Sequence, residues 1–199
     1  VDIQEQKQNR VPVHALIIAD PEIGGLGTPR DLGAKVSGST SVIGMTIERV
    51  NQTSELDGIT IVTPNPEAIE RLIATVPSRL KIQVVGVDPQ KFGKRTRRVG
   101  SARMQSSECW RGSVGMLSVY DEQLDVELLS QVISECQIEA CAIMGADWAM
   151  IDPGLIDETV ARFRCQDTEK RIAFSQAVPG LGTMVVDRTT IHSLAESNK

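Results

Sequence analysis

The sequence predicts an α/β fold: a mostly parallel β-sheet in three layers, with helices on both faces. Three observations carry that expectation. Short apolar runs of strand length alternate with stretches whose apolar residues recur at three- and four-residue intervals, the signature of amphipathic helices. The apolar residues are aliphatic: 41% of the chain is hydrophobic but only 3% aromatic, so Val, Ile, Leu, Ala and Met must build the core. Such a core suits a sheet covered by helices. A length of 199 residues is that of one domain able to bury a substantial core.

The elements follow in order. Residues 1–10 (VDIQEQKQNR) are polar and non-periodic, which predicts a flexible tail over 1–12 and a single domain over 13–199. Val13 to Ala19 (VHALIIA) is a strand that runs into DPEIGGLGTPRDLGAKVSGS, too rich in Gly and Pro for regular structure. A helix is expected from Ser41 to Gln52, with Val42, Ile43, Thr46, Ile47 and Val50 on one face. Asp57 to Thr63 is a second strand, and Pro66 to Val76 a second helix with Ala68, Ile69, Leu72, Ile73 and Val76 inward. Lys81 to Val87 is a third strand. The β-loop-α-β-α-β order implies parallel strands. Periodicity is lost from Asp88 to Ser113. Val114 to Val119 reads as a short strand and Asp121 to Cys136 as a helix. Ile138 to Phe163 is a buried strand, an acidic turn and an amphipathic helix, with Asp152 as N-cap and Pro153 at the first helical position. Arg171 to Ser175 and Gly182 to Val186 are short strands, and a last helix starts at Thr189.

Composition excludes some functions. A net charge of -5 leaves no electrostatic footprint for nucleic acid. No run of 18 apolar residues and no signal-peptide pattern occurs, so no membrane partner is expected and a cytoplasmic protein is the default. The cysteines, Cys109, Cys136, Cys141 and Cys165, show no CxxC spacing. Cys136 and Cys165 fall on apolar helix faces and read as small core residues. The first residue is not Met and SLAESNK looks like an interrupted helix, so the chain is expected to belong to something longer.

Candidate site residues come from position and chemistry. Asp147 lies at the carboxyl end of the Ile138 strand, where open α/β sheets place ligands. It is either a metal or phosphate ligand or a turn carboxylate. Gly24, Gly25, Gly27 and Thr28 follow the first strand, as a phosphate-approaching loop or as a surface turn, with Arg30 and Lys35 as the nearby cations. The basic stretch from Lys94 to Arg103 and the Trp110-Arg111 pair are a solvated surface or an anion-facing loop. Trp148 either packs under a loop or walls the pocket. His14 and His192 have no Ser or Cys partner in a recognisable motif.

Three segments, VHALIIAD opening into the Gly-rich loop, SVIGMTIERVNQTSELDGITIVT, and MGADWAMIDPGLIDETVARF, together resemble a known family. They are similar to the nucleotidyltransferases that form sugar nucleotides, on a Rossmann-like, GT-A-type fold. The nearest look is to cytidylyltransferases of acidic sugars and to spore-coat polysaccharide proteins. The resemblance implies transfer of a nucleotidyl group from a nucleoside triphosphate, CTP by this likeness, to a sugar or sugar acid, with release of pyrophosphate. Such chemistry needs a phosphate-cradling loop, cations for accumulating charge, and a carboxylate-held Mg²⁺. The resemblance implies Asp147 as the metal ligand. Beside it, the backbone of Gly24, Gly25, Gly27 and Thr28 is expected to approach the nucleotide, with Arg30 and Lys35 as the available catalytic cations. Arg103 and Arg111 are expected to contact the nucleotide if their stretch is the anion-facing loop. A homodimer stays open. The family's loop carries an arginine and then Pro-Gly-Lys, whereas here Pro29 is followed by Arg30 and Asp31, and Lys35 comes late. The expected second metal carboxylate has only Asp187 and Glu196 as candidates. The competing expectation is therefore a catalytically degenerate domain that binds a nucleotide or sugar, or scaffolds a larger protein. A glycosyltransferase would want an Asp-x-Asp motif, which does not occur near Asp147.

Overall fold

The computed structural model describes residues 10–21, 31–38, 40–93, 125–167, 171–177 and 180–197. Its strands are β1 (Val13–Ile18), β2 (Lys35–Ser37), β3 (Thr40–Ser41), β4 (Gly58–Thr63), β5 (Ile82–Gly86), β6 (Ala140–Gly145), β7 (Ile172–Phe174) and β8 (Met184–Asp187). Its helices are α1 (Val42–Val50), α2 (Pro66–Ile73), α3 (Val126–Glu135), α4 (Pro153–Arg164) and α5 (Arg188–Ser197). The main sheet is six-stranded, in the order β5-β4-β1-β6-β8-β7, and β2 and β3 form a separate small sheet. β1 pairs in parallel with both β4 and β6, and β4 with β5, as the alternation of strands and helices predicts. β8 runs antiparallel to β6, and β7 antiparallel to β8.

The period of two along β1 splits the core into layers. Val13, Ala15 and Ile17 face α1, α2 and α4, packing with Ile43, Ile47, Ile69, Ile156, Val160 and Phe163. Leu16 and Ile18 face the other way, with Leu129, Val132 and Ile133 of α3 and Ile191 of α5. Every residue of β6 is buried, as befits a strand covered on both sides. This mostly parallel sheet between helical layers is the α/β class that the sequence predicts.

Several boundaries differ from expectation for local reasons. α3 begins at Val126 because the Asp125 carboxylate accepts the Leu128 amide at 3.0 Å as N-cap. Residues 121–124, like the strand expected over 114–119, lie outside the described residues. α2 ends at Ile73, and Val76 sits in the turn beyond it. That helix covers the edge strand β5, so of its apolar residues only Ile69 is fully buried. Residues 89–93 form a short helical turn within the stretch without periodicity. The reading of Cys165 as a core residue is corrected: it is exposed at the C-cap of α4. Phe163 is the last inward residue of that helix, and Cys165 lies beyond the helix end, where the helical face no longer directs its side chain inward. Cys136, the C-cap of α3, is half-buried against the second core layer. Arg10 is ion-paired with Glu55 and Asp57, and Val11 packs on the core, while residues 1–9 lie outside the described residues. Among the described residues no helix is long and apolar enough to cross a membrane.

Candidate functional site

The chain leaves β1 through α1 toward β4 and β5, then returns by α3, on the opposite face, to β6 on the other side of β1. The order therefore reverses between β1 and β6, and the crevice outside their carboxyl ends is where such sheets bind ligands. Ile18 and Gly145 are register partners, and the Ala146 amide donates to the Ile18 carbonyl at 3.0 Å. Asp20 and Asp147 each stand two residues beyond those partners, at the carboxyl ends of adjacent strands.

The turn carrying Asp147 is built from identifiable contacts. The Trp148 amide donates to the Gly145 carbonyl at 3.3 Å, and the Ile151 amide to the Trp148 carbonyl at 3.0 Å. A Cβ on Gly145 would come within 2.7 Å of Trp148 Nε1 and 2.9 Å of Asp147 Oδ1. Glycine at that point lets the indole and the carboxylate close over the strand end. Gly180, at φ +84, faces the same indole, so Trp148 packs under the 180–181 turn. The Asp152 amide donates to the Leu181 carbonyl at 2.8 Å, and the Asp152 carboxylate accepts the Leu155 amide at 2.9 Å. Asp152 is thus the N-cap of α4, as its place before Pro153 predicts.

Other positions are used locally. Lys35 is exposed on β2, opposite Ser41 in the small sheet. The Asp31 carboxylate accepts the Gly33 amide at 2.8 Å, so its charge serves the 31–34 turn. The first-turn amides of α1 are engaged: Val42 with Ala34 O, Ile43 with Leu32 O, and Gly44 with the Ser41 hydroxyl. Those amides are therefore not available to cradle a phosphate. Gly24, Gly25, Gly27, Thr28 and Arg30 of the Gly-rich loop, with Arg103 and Arg111, lie outside the described residues. Asp187 is excluded as a partner of Asp147. β8 is antiparallel, so Asp187 pairs with Ala140 at the opposite end of β6, more than about 15 Å along the strand. There its carboxylate accepts the Thr190 amide at 2.8 Å and the Arg171 amide at 2.9 Å. A cavity of about 550 Å³ between α4 and β7, lined by residues such as Leu155, Arg162 and Phe174, includes none of the crevice carboxylates.

Among the described residues no group of three or more His, Cys, Asp or Glu side chains is arranged to hold a metal. Asp20 and Asp147, each just beyond a strand end, are carboxylates, hard oxygen donors of the kind Mg²⁺ takes from a protein while keeping water and phosphate ligands. Those carboxylates also repel a bare triphosphate, so a divalent cation and a phosphate fit the crevice together better than either alone. Sequence reading passed over Asp20, although it follows its strand at the same spacing as Asp147 follows β6. It also counted Thr46 with the apolar face of α1, where a buried hydroxyl is a signal in itself.

No protein-family profile and no curated protein matches the sequence. Solved structures do match the fold. A cytidylyltransferase from Leptospira borgpetersenii serovar Hardjo-bovis (strain JB197) superposes with a TM-score of 0.61 at 13% identity, over 94% of this chain and 64% of that one. The CMP:2-keto-3-deoxy-manno-octonic acid synthetase complexed with CTP superposes with a TM-score of 0.54 at 9% identity, over 93% of this chain and 78% of that one. The chain thus spans less than two thirds of the length of the first of these. At such identities the likeness is one of fold: the chain has the α/β fold of cytidylyltransferases.

Proposed function

We propose that this chain catalyses Mg²⁺-dependent nucleotidyl transfer from a nucleoside triphosphate, CTP by fold likeness, to a sugar or sugar acid. The observation that supports the reading is that Asp147 and Asp20 each follow, at the same two-residue spacing, the ends of adjacent parallel strands at the reversal point of the sheet. An acceptor oxygen attacks the α-phosphorus, a new P–O bond forms, and the bond to pyrophosphate breaks, releasing pyrophosphate with its electron pair. Asp147 and Asp20 are the residues that would hold the cation, and the cation would supply positive charge that offsets the phosphates. Gly24, Gly25, Gly27 and Thr28 bring backbone amides to the triphosphate, and Arg30 adds charge. Lys35 stands further along the same connection, and Arg103 and Arg111 contribute to nucleotide binding. The acceptor and a homodimeric assembly belong to this proposal as well.

A second reading, a binding domain without turnover, is favoured by one observation. Asp187, one of the two late carboxylates the chain offers for a second metal ligand, is at the far end of the sheet. The test follows pyrophosphate release from each nucleoside triphosphate with Mg²⁺ and a panel of acidic sugars. Release from CTP that falls by at least about a hundredfold in Asp147→Ala supports the enzyme. Thermal stabilisation by nucleotide with no release supports the second reading, and no effect of any nucleotide overturns both.

A further inference from the structure

We propose that Thr46 is a positioning residue that orients Asp147 through the peptide between Ala146 and Asp147. Thr46 is fully buried on α1, and its hydroxyl lies 2.9 Å from the Ala146 carbonyl and 3.2 Å from the Val42 carbonyl of its own helix. A threonine hydroxyl has one proton to donate, and a helical threonine ordinarily gives it to the carbonyl four residues back. Here the shorter contact reaches a residue 100 positions away in sequence.

The carbonyl of Ala146 and the amide of Asp147 share one rigid plane. The Ala146 amide is held by the Ile18 carbonyl at 3.0 Å, on the tip of β1. With its carbonyl held by Thr46, Ala146 is bonded on both sides, and the direction in which Asp147 leaves the turn is set. Thr46 stands on the first helix after the Gly-rich loop. Its hydroxyl therefore ties the element that follows the proposed phosphate loop to the turn that carries the proposed metal carboxylate. The role for Thr46 in metal binding rests on the proposed function; its role in orienting the turn does not.

Trp148 supplies a reader that needs no ligand, because its indole lies beside Asp147 over Gly145. The experiment compares wild type, Thr46→Val and Thr46→Ser, with the indole resonance of Trp148 assigned through Trp110→Phe. Thr46→Val keeps the shape and removes the donor. It is expected to shift or broaden the Trp148 indole signal and to weaken Mg²⁺-dependent CTP affinity by at least about tenfold, with metal-free CTP affinity unchanged. Thr46→Ser restores the hydroxyl and is expected to return both readouts to wild type. Should Thr46→Val not fold, Thr46→Ala carries the same comparison, since it adds no volume. An unchanged indole signal in the donor-less variant, or a serine variant that behaves like valine, overturns the proposal. If wild type binds no CTP with Mg²⁺, the proposed function fails while the indole comparison still decides the role of Thr46.

Discussion

His14 stands on β1 against Gly58, where a Cβ would meet the imidazole at 3.0 Å. Burial pulls its pKa below the ordinary 6.5, and the Asp57 carboxylate opposes that pull without cancelling it. The unfolded chain therefore takes up the proton first as pH falls. The stability that depends on neutral His14 is complete above 6.5 and is lost as pH falls from 6.5 toward the folded-state value. Denaturant midpoints measured across that window should fall on acidification in wild type and fall less in His14→Gln. An equal slope in the two proteins would show that other groups carry the pH dependence. Asp152 illustrates the opposite kind of residue, readable in advance because a carboxylate before Pro153 caps a helix through chemistry confined to one turn.

At the scale of elements, α4 is fastened along its length by polar contacts of unequal value. The Asp157 carboxylate accepts the Ser54 amide at 2.8 Å, the Ser54 hydroxyl at 2.8 Å and the Glu55 amide at 3.0 Å, fixing the helix to the α1–β4 connection. Replacing Asp157 by Ala should cost about 1 to 2 kcal/mol, since hydrogen bonds to a charged acceptor are lost at a half-buried site. Replacing the neighbouring Glu158, whose bridge to Arg162 is more than half exposed on both sides, should change stability by less than about 0.5 kcal/mol. Chemical denaturation of the two variants checks the contrast, and comparable losses would contradict it. Beyond α4, the Gln166 carboxamide donates to the Ile172 carbonyl at 2.8 Å and accepts its amide at 3.2 Å. That clip occupies backbone groups of the edge strand β7 that another strand would otherwise seek.

Across the molecule, burial separates residues of one type by reactivity. Cys141 lies at the centre of the sheet, fully buried, with its thiol pushed up to about 12 by burial and, secondarily, by Asp187. Cys165 is exposed. A thiol reagent followed by peptide mapping should modify Cys165 in the folded protein and Cys141 only when the sheet opens as a whole. Rapid modification of Cys141 under native conditions would mean that β6 opens locally. The same global order shows at the base of the sheet. Arg164 donates to the Val11 carbonyl, to the Glu55 side chain and to Asp57, while Arg10 pairs with the same two acids. This network joins the start of β1, the loop before β4 and the end of α4.

Features that arise from neighbours along the chain were legible in the amino-acid order alone. Alternating and helical periodicities located the strands and helices, because a side chain's direction follows from its backbone within a turn or a pleat. The Asp152 cap and the strand-tip position of Asp147 were legible for the same reason. Tertiary structure decided what depends on pairing between distant segments. The antiparallel course of β8 carried Asp187 to the far end of the sheet, and the register of β1 with β6 set the segments that lead to Asp20 and Asp147 at the ends of adjacent strands. Thr46 found the Ala146 carbonyl 100 residues away. No local rule encodes such meetings: strand direction and register are settled when hydrophobic faces and backbone hydrogen bonds are satisfied over the whole sheet.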